Sequence, residues 1–321
     1  MRPIRCVALT ALSFGLVVVL QPGCSKVPDG WPEKPGPRVL TSFAPIYCFA
    51  VNVAGEDAAV QYVMSGEGPH GFEVSAKDRV KVDRANLFLI NGLMLDDDIA
   101  AKMMNGTENK NIKLIPLAER IPISSLRKGG VCRDESGEHR HGAYDPHVWL
   151  GIPEAVQMVE AVRDALAAQD PDHKAGYISR ATAYIDKLKT IKAEGKAMFK
   201  DKTEKKLITF HDSLYYFAHM FDLEIIDSIE PVPASEASPK HLKALIAKCK
   251  DNKIRHITVE PQYPSNTSAS TLLRELKAAG IAAEFIEIDT LETATVEDLK
   301  NPAYYEIKMR ENVKHLADHL K

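Results

Sequence analysis

From residue 38 onward, short apolar runs alternate with stretches whose apolar positions recur every three or four residues, the mark of strands interleaved with amphipathic helices. Residues 39–43 read as a strand and 45–53 as the helix behind it, stopped by Gly55. Strands at 59–64, 85–91 and 112–117 follow, with helical stretches at 75–84 and 95–105 between them, then a long polar loop over 121–146. Pro153 suits the first turn of a helix covering 155–168. A longer run begins at Asp170-Pro171, where Tyr177, Ala181, Tyr184, Ile185, Leu188 and Ile191 mark one face and only Gly195 weakens the pattern before Lys200. Such a helix spans roughly 40 Å at about 1.5 Å per residue, enough to join two lobes and hold their separation. The second half repeats the alternation, with strands at 206–210, 223–229, 256–260 and 282–288 and helices at 213–221, 239–249, 268–279 and 296–320. Ser238 before Pro239 marks one of these helix starts. The pattern predicts an α/β fold in two halves around one long helix.

The length of 321 residues exceeds the usual single domain and supports that division. The first lobe is expected over 38–170, the connecting helix over 171–200 and the second lobe over 201–321. A net charge of −3 leaves no basic footprint, so nucleic acid is not an expected partner. No phosphate-binding loop, dinucleotide fingerprint or nucleophile elbow stands at a strand-to-helix turn. Cys6, Cys24, Cys48, Cys132 and Cys249 are scattered without a CxxC pair, which excludes a disulfide framework or thiolate cluster.

The first residues are of a different kind. Arg2 and Arg5 precede an apolar run over 7–20 and then Gln-Pro-Gly-Cys, the order of an export signal over 1–24. That run is short for a membrane span, which needs about 20 residues. Gly23-Cys24 resembles the end of a bacterial lipoprotein box, although Gln21 and Pro22 depart from it, so a lipid anchor at Cys24 is expected and plain cleavage is the alternative. Residues 25–37 read as a tether around Trp31. Export to the periplasm, or to the outer face of the cytoplasmic membrane, follows.

Four candidate ligands share one topological position. His70 follows the strand at 59–64, His211 the strand at 206–210 and Asp289 the strand at 282–288, while His147 follows the loop after the fourth strand. Open parallel sheets bind ligands beyond the carboxyl ends of their strands, so facing lobes would gather all four in one cleft. In Asp145-Pro146-His147 the proline restricts the backbone and a carboxylate lies beside the imidazole, as suits a ligand held in one orientation. Three neutral imidazoles and one carboxylate make a closed tetrahedral set that favours zinc. Glu287 would share a strand face with Asp289. His139 and His141, with Glu135 and Glu138, read either as a weak zinc-capturing loop or as a solvated one. The remaining histidines (His173, His219, His241, His256, His315, His319) read as structural or exposed. The rival reading is an exported zinc hydrolase, with His70, His147 and His211 on the metal and a carboxylate as base; no HExxH motif supports it.

Ordered pieces of this chain resemble one family. They are Thr41-Ser42-Phe43-Ala44-Pro45-Ile46-Tyr47, Gly68-Pro69-His70, Asn91-Gly92-Leu93, Asp145-Pro146-His147-Val148-Trp149, Phe210-His211-Asp212, Ser235-Glu236-Ala237-Ser238 and Ile288-Asp289-Thr290-Leu291. Across most of 38–320 the chain is similar to the solute-binding proteins of bacterial zinc and manganese ABC transporters. The resemblance implies two α/β lobes with parallel sheets joined by a long rigid helix, and a metal in the cleft between them. It implies a binding protein rather than an enzyme, a monomer that hands its metal to an ABC permease. Carried over by position, His70 and His147 are the first-lobe ligands and His211 and Asp289 the second-lobe ligands. A histidine at 211 points to Zn2+, with Mn2+ as the alternative. The chain departs from the family in lacking a proline just after His70 and in having only two histidines in the loop before Asp145.

Overall fold

Two four-stranded parallel sheets of identical internal order organise the chain. The structure, a computed structural model, describes residues 30–129, 131–134, 137–140, 143–230, 237–262 and 267–321. The export signal, Cys24, His141, Glu135 and Glu236 therefore lie outside the described residues. In the first half stand β1 (Arg38–Thr41), α1 (Ala44–Ala54), β2 (Ala59–Tyr62), α2 (Ala76–Val82), β3 (Leu87–Ile90), α3 (Asp97–Met104) and β4 (Lys113–Pro116). An antiparallel hairpin, β5 (Val131–Asp134) with β6 (Gly137–Arg140), occupies what the sequence presents as loop. Its base is closed by a bridge between Lys128 and Tyr144 and by Gly129 N–H donating to Ala143 O at 2.9 Å. Helices α4 (Ile152–Gln169) and α5 (Lys174–Phe199) lead to the second half: β7 (Lys206–His211), α6 (Tyr215–Met220), β8 (Glu224–Glu230), α7 (Pro239–Asn252), β9 (His256–Val259), α8 (Thr267–Ala278), β10 (Glu284–Glu287) and α9 (Tyr304–His319). The sheets run β2–β1–β3–β4 and β10–β9–β7–β8. Each reverses direction beside its first strand, which opens a crevice at the strand ends there. The all-apolar Leu87–Ile90 is buried throughout, as a parallel strand covered on both faces must be.

The two lobes are not two separate cores. One apolar cluster runs from Val39, Phe49 and Phe88 through Trp149 and the α4–α5 pair to Ile286, Leu291, Tyr305 and Val313. Among the described residues a second core lies on the far face of the second sheet, where Ile208, Phe210 and Ile257 meet Leu245 of α7 and Leu272 of α8. Accordingly, Trp31–Lys321 holds together as a single compact unit. Trp31, read from sequence as tether, is 7% exposed, with the Arg38 guanidinium 5.9 Å from its ring. Tyr177, Ala181, Tyr184, Ile185, Leu188 and Ile191 of α5 are all buried, on the face their spacing marks. Near one end of α5, Arg180 donates to Val53 O and Ala54 O of α1 and pairs with Asp57 at 2.6 Å. Near the other, Gly195 lies against Phe221 and Val313, so close that an added Cβ would overlap the Phe221 ring. The final helix starts at Tyr304 rather than near 296, after a loop that contains Pro302.

The loop after β3 holds three successive positive φ values, at Gly92, Leu93 and Met94. Buried Asp96 secures it by accepting the N–H groups of Asn91 and Gly92, each at 2.9 Å. Asn91 then donates its amide to Pro146 O at 3.0 Å, which fixes the segment entering His147. Burial pushes the Asp96 carboxyl up to about 6, only partly offset by those hydrogen bonds.

Two outcomes follow for stability. Gly195→Ala gains up to about 1 kcal/mol of helix propensity but overpacks a buried ring contact at a cost of about 1–3 kcal/mol, so a lower melting temperature is expected by calorimetry. For Asp96, the folded state holds its proton more tightly than the unfolded chain. Between about pH 4 and 6 stability should therefore fall as pH rises, by on the order of 3 kcal/mol in all. Denaturant titrations of Asp96→Asn should lack that slope.

Candidate metal centre

Three of the four expected ligands converge. His211 ends β7, His147 stands one residue before the short 3-10 turn Val148–Leu150, and His70 lies in the turn after β2. With Glu292 they place four ligand atoms within 4.8 Å of one another. Nε2 of His211 and His147 face each other at 3.4 Å. Glu292 Oε1 lies 3.4 Å from His211 Nε2, 3.6 Å from His147 Nε2 and 3.8 Å from His70 Nε2. Ligands on one tetrahedral zinc sit about 3.3 Å apart, so small inward shifts would close this set.

Carboxylates orient two of the imidazoles from behind. Asp145 Oδ1 takes His147 Nδ1 at 2.8 Å and the His147 backbone N–H at 3.0 Å, so one oxygen sets both ring and chain. Glu260, just past the end of β9, takes His211 Nδ1 at 2.6 Å, and its other oxygen accepts Thr290 Oγ1 at 3.3 Å. With Nδ1 donating outward, each Nε2 would present a lone pair to the cleft once it carries no proton. Trp149 Nε1 donates to Thr290 O at 2.8 Å, and Tyr305 Oη to Trp149 O at 2.5 Å, which ties the His147 segment to the second lobe. Gly66 N–H reaches Ala294 O at 2.7 Å, while Gly68 packs directly against Glu292.

Glu292 is fully buried, and among the described residues its oxygens are met only by long imidazole contacts, the shortest that of His211 at 3.4 Å. A buried carboxylate in that setting calls for a cation. Burial would raise its pKa, but the His211 contact and the charges of the three imidazoles hold it well below the usual range. Burial likewise disfavours a charged His211, yet Glu260 and then Glu292 raise it to about 10. Without a metal, a proton on His211 neutralises the pair. A divalent ion would take over that role.

Asp289, the fourth expected ligand, stands apart from this set. Its Oδ1 accepts Leu291 N–H at 2.8 Å and the Gln262 amide, and Asn312 of α9 clamps its backbone at 2.9 and 2.7 Å. Asp289 thus faces a different surface cavity, of about 430 Å³, together with Glu287, Lys308 and His315. The strand ends at Glu287, and Leu291 then takes φ 58°, which reverses the chain and turns Glu292 into the cleft. Side-chain alternation does not extend through such a reversal, so the carboxylate three residues later supplies the fourth group. Sequence reasoning also passed over Glu260, although the strand-end rule that selects His211 selects it equally. Of the other histidines, His256 bonds Glu204, His173 bonds Asp170 and His241 bonds Ser228 O. The backbone of His139 lies in β6 opposite Cys132. Cys48 and Cys249 are free and buried. Among the described residues, no helix is long and apolar enough to cross a membrane.

The chain is 32% identical over 287 residues to the zinc-binding lipoprotein AdcA of Streptococcus pneumoniae, covering 87% of this chain and 55% of that protein. It therefore spans about half the length of the curated relatives it matches. A Zn(II)-bound variant of AdcAII of Streptococcus pneumoniae superposes with TM-score 0.75 at 27% identity, over 90% of this chain and 100% of that one. The Mn2+ complex of FpvC from Pseudomonas aeruginosa has the same fold, with TM-score 0.73 at 23% identity over 88% and 97% of the two chains. Residues 39–319 match the family described as zinc-uptake complex component A, periplasmic, and the chain belongs to that family.

Proposed function

We propose that this protein captures Zn2+ outside the cytoplasmic membrane through His70, His147, His211 and Glu292 and delivers it to an ABC permease for import. The observation that carries the reading is Glu292, a fully buried carboxylate facing three imidazole nitrogens, two of them oriented from behind by carboxylates. The metal is cargo. With four protein groups converging on one point, the site has no open position for an activated water, unlike a catalytic zinc. The donor set of three imidazoles and one carboxylate favours zinc over manganese, which prefers oxygen ligands. Mn2+ is the alternative cargo, in keeping with the Mn2+ complex of FpvC. Export by the leader over 1–24, a lipid anchor at Cys24 and action as a monomer belong to the same proposal; the lipoprotein description of AdcA supports the anchor. In this reading 38–170 and 201–321 are the lobes and 171–200 the strut between them.

Calorimetric titration with Zn2+ should give one site per chain. Glu292→Ala and His211→Ala are each expected to lose at least about 100-fold in affinity, and Glu260→Gln about 10–100-fold through the orientation of His211. Asp289→Asn should stay within a few-fold of the parent. The reverse order, with Asp289→Asn abolishing binding and Glu292→Ala retaining it, would return the fourth position to Asp289. Metal and proton compete for the same nitrogens, and His211 holds its proton up to about 10 in the metal-free protein. Zinc uptake at neutral pH should thus release a proton, and affinity should weaken as pH falls. Titrations in buffers of different ionisation enthalpy measure that release directly.

A further inference from the structure

Resting on the metal-binding reading, we propose that Arg127 is a latch across the cleft, a positioning residue that contacts no metal but sets how fast the metal leaves. Its Nη1 donates to Asp212 Oδ1 at 2.6 Å and to Asp145 Oδ2 at 3.2 Å. Asp145 holds His147 with its other oxygen, and Asp212 directly follows His211. One guanidinium thus joins, at a single step's remove, a candidate ligand from each lobe. Without it the two carboxylates would face each other uncompensated, and like charges repel.

The backbone around Arg127 strengthens the tie. Arg127 N–H donates to Tyr216 Oη at 3.2 Å, and that hydroxyl donates to Asp145 O at 3.0 Å. Asp145 N–H in turn donates to Arg127 O at 2.9 Å, and the guanidinium lies 4.9 Å from the Tyr215 ring centre. The base of the β5–β6 hairpin is therefore pinned onto α6 of the second lobe. Other links across the cleft, Trp149 to Thr290, Tyr305 to Trp149 and Gly66 to Ala294, end on backbone carbonyls close to the shared core. Arg127 differs in being charged and 30% exposed. Water and salt compete for such a pair far more readily than for a buried hydrogen bond. Opening near the ligands would begin there, and its loss should appear mainly in dissociation.

The test is stopped-flow release of Zn2+ from the loaded full chain into excess chelator, beside equilibrium affinity and the melting temperature of the metal-free protein. Arg127→Gln should release zinc about tenfold faster or more, with association little changed. Asp212→Asn removes the same bond from the other side and should do likewise, and the double variant should be no faster than either single one. Arg127→Lys, which keeps the charge, should recover part of the slow release. Release from the parent should quicken with ionic strength, and release from Arg127→Gln should not. Unchanged release in both single variants, or a lowered melting temperature alone, overturns the latch while leaving the metal site intact. A parent protein that takes up no zinc overturns the metal-binding reading itself.

Discussion

An imidazole can ligate a metal only through a lone pair that is free of its proton and aimed at the ion, and the proposed centre is organised around that requirement. For His147 and His211 it is met from behind, by a buried carboxylate on Nδ1 that settles tautomer and ring orientation together. Those carboxylates need supports of their own. Asp145 sits at the base of a hairpin and is braced by Arg127 and Tyr216, and Glu260 stands at a strand end beside Thr290. The ligand geometry therefore depends on groups drawn from both halves of the chain.

Such a demand is compatible with only a limited kind of motion. A core that continues from the first sheet through α4 and α5 to α9 cannot part without exposing Phe49, Trp149 and Tyr305 to water. Burial of several large rings outweighs a handful of polar contacts, so wholesale separation of the lobes is disfavoured. Movement confined to loops at the strand ends leaves that core closed. The candidate ligands lie on such loops or strand ends, where hydrogen bonds and the Arg127–Asp212 ion pair tie the lobes.

Electrostatics distinguish the centre from an ordinary buried network. In a satisfied network each carboxylate accepts hydrogen bonds, as Asp96 does from Asn91 and Gly92. Among the described residues, Glu292 has only imidazole nitrogens around it, at 3.4 Å and beyond. Its charge is offset by His211, which keeps a proton that a divalent cation would displace. In the proposed function, sequestering an ion and shedding a proton would be one event.

Much of this was legible in the linear sequence because it rests on local rules. Apolar periodicity marked β3 and the buried face of α5, and Asp-Pro before His147 announced an oriented imidazole. The strand-end rule named His70 and His211, and the family pattern supported both. Other features depended on contacts between distant segments. Nothing local says that Gly195 exists to admit Phe221, that Trp31 packs instead of trailing, or that the polar loop closes into a hairpin. The fourth group shows the division most clearly. By sequence alone Asp289 continues the alternation of its strand, and only the tertiary fold, with Asn312 clamping that backbone and Leu291 turned to positive φ, makes it brace the turn and sends Glu292 into the cleft. Alternation is a property of a strand and stops where the strand does; where a chain turns next is decided by what packs against it.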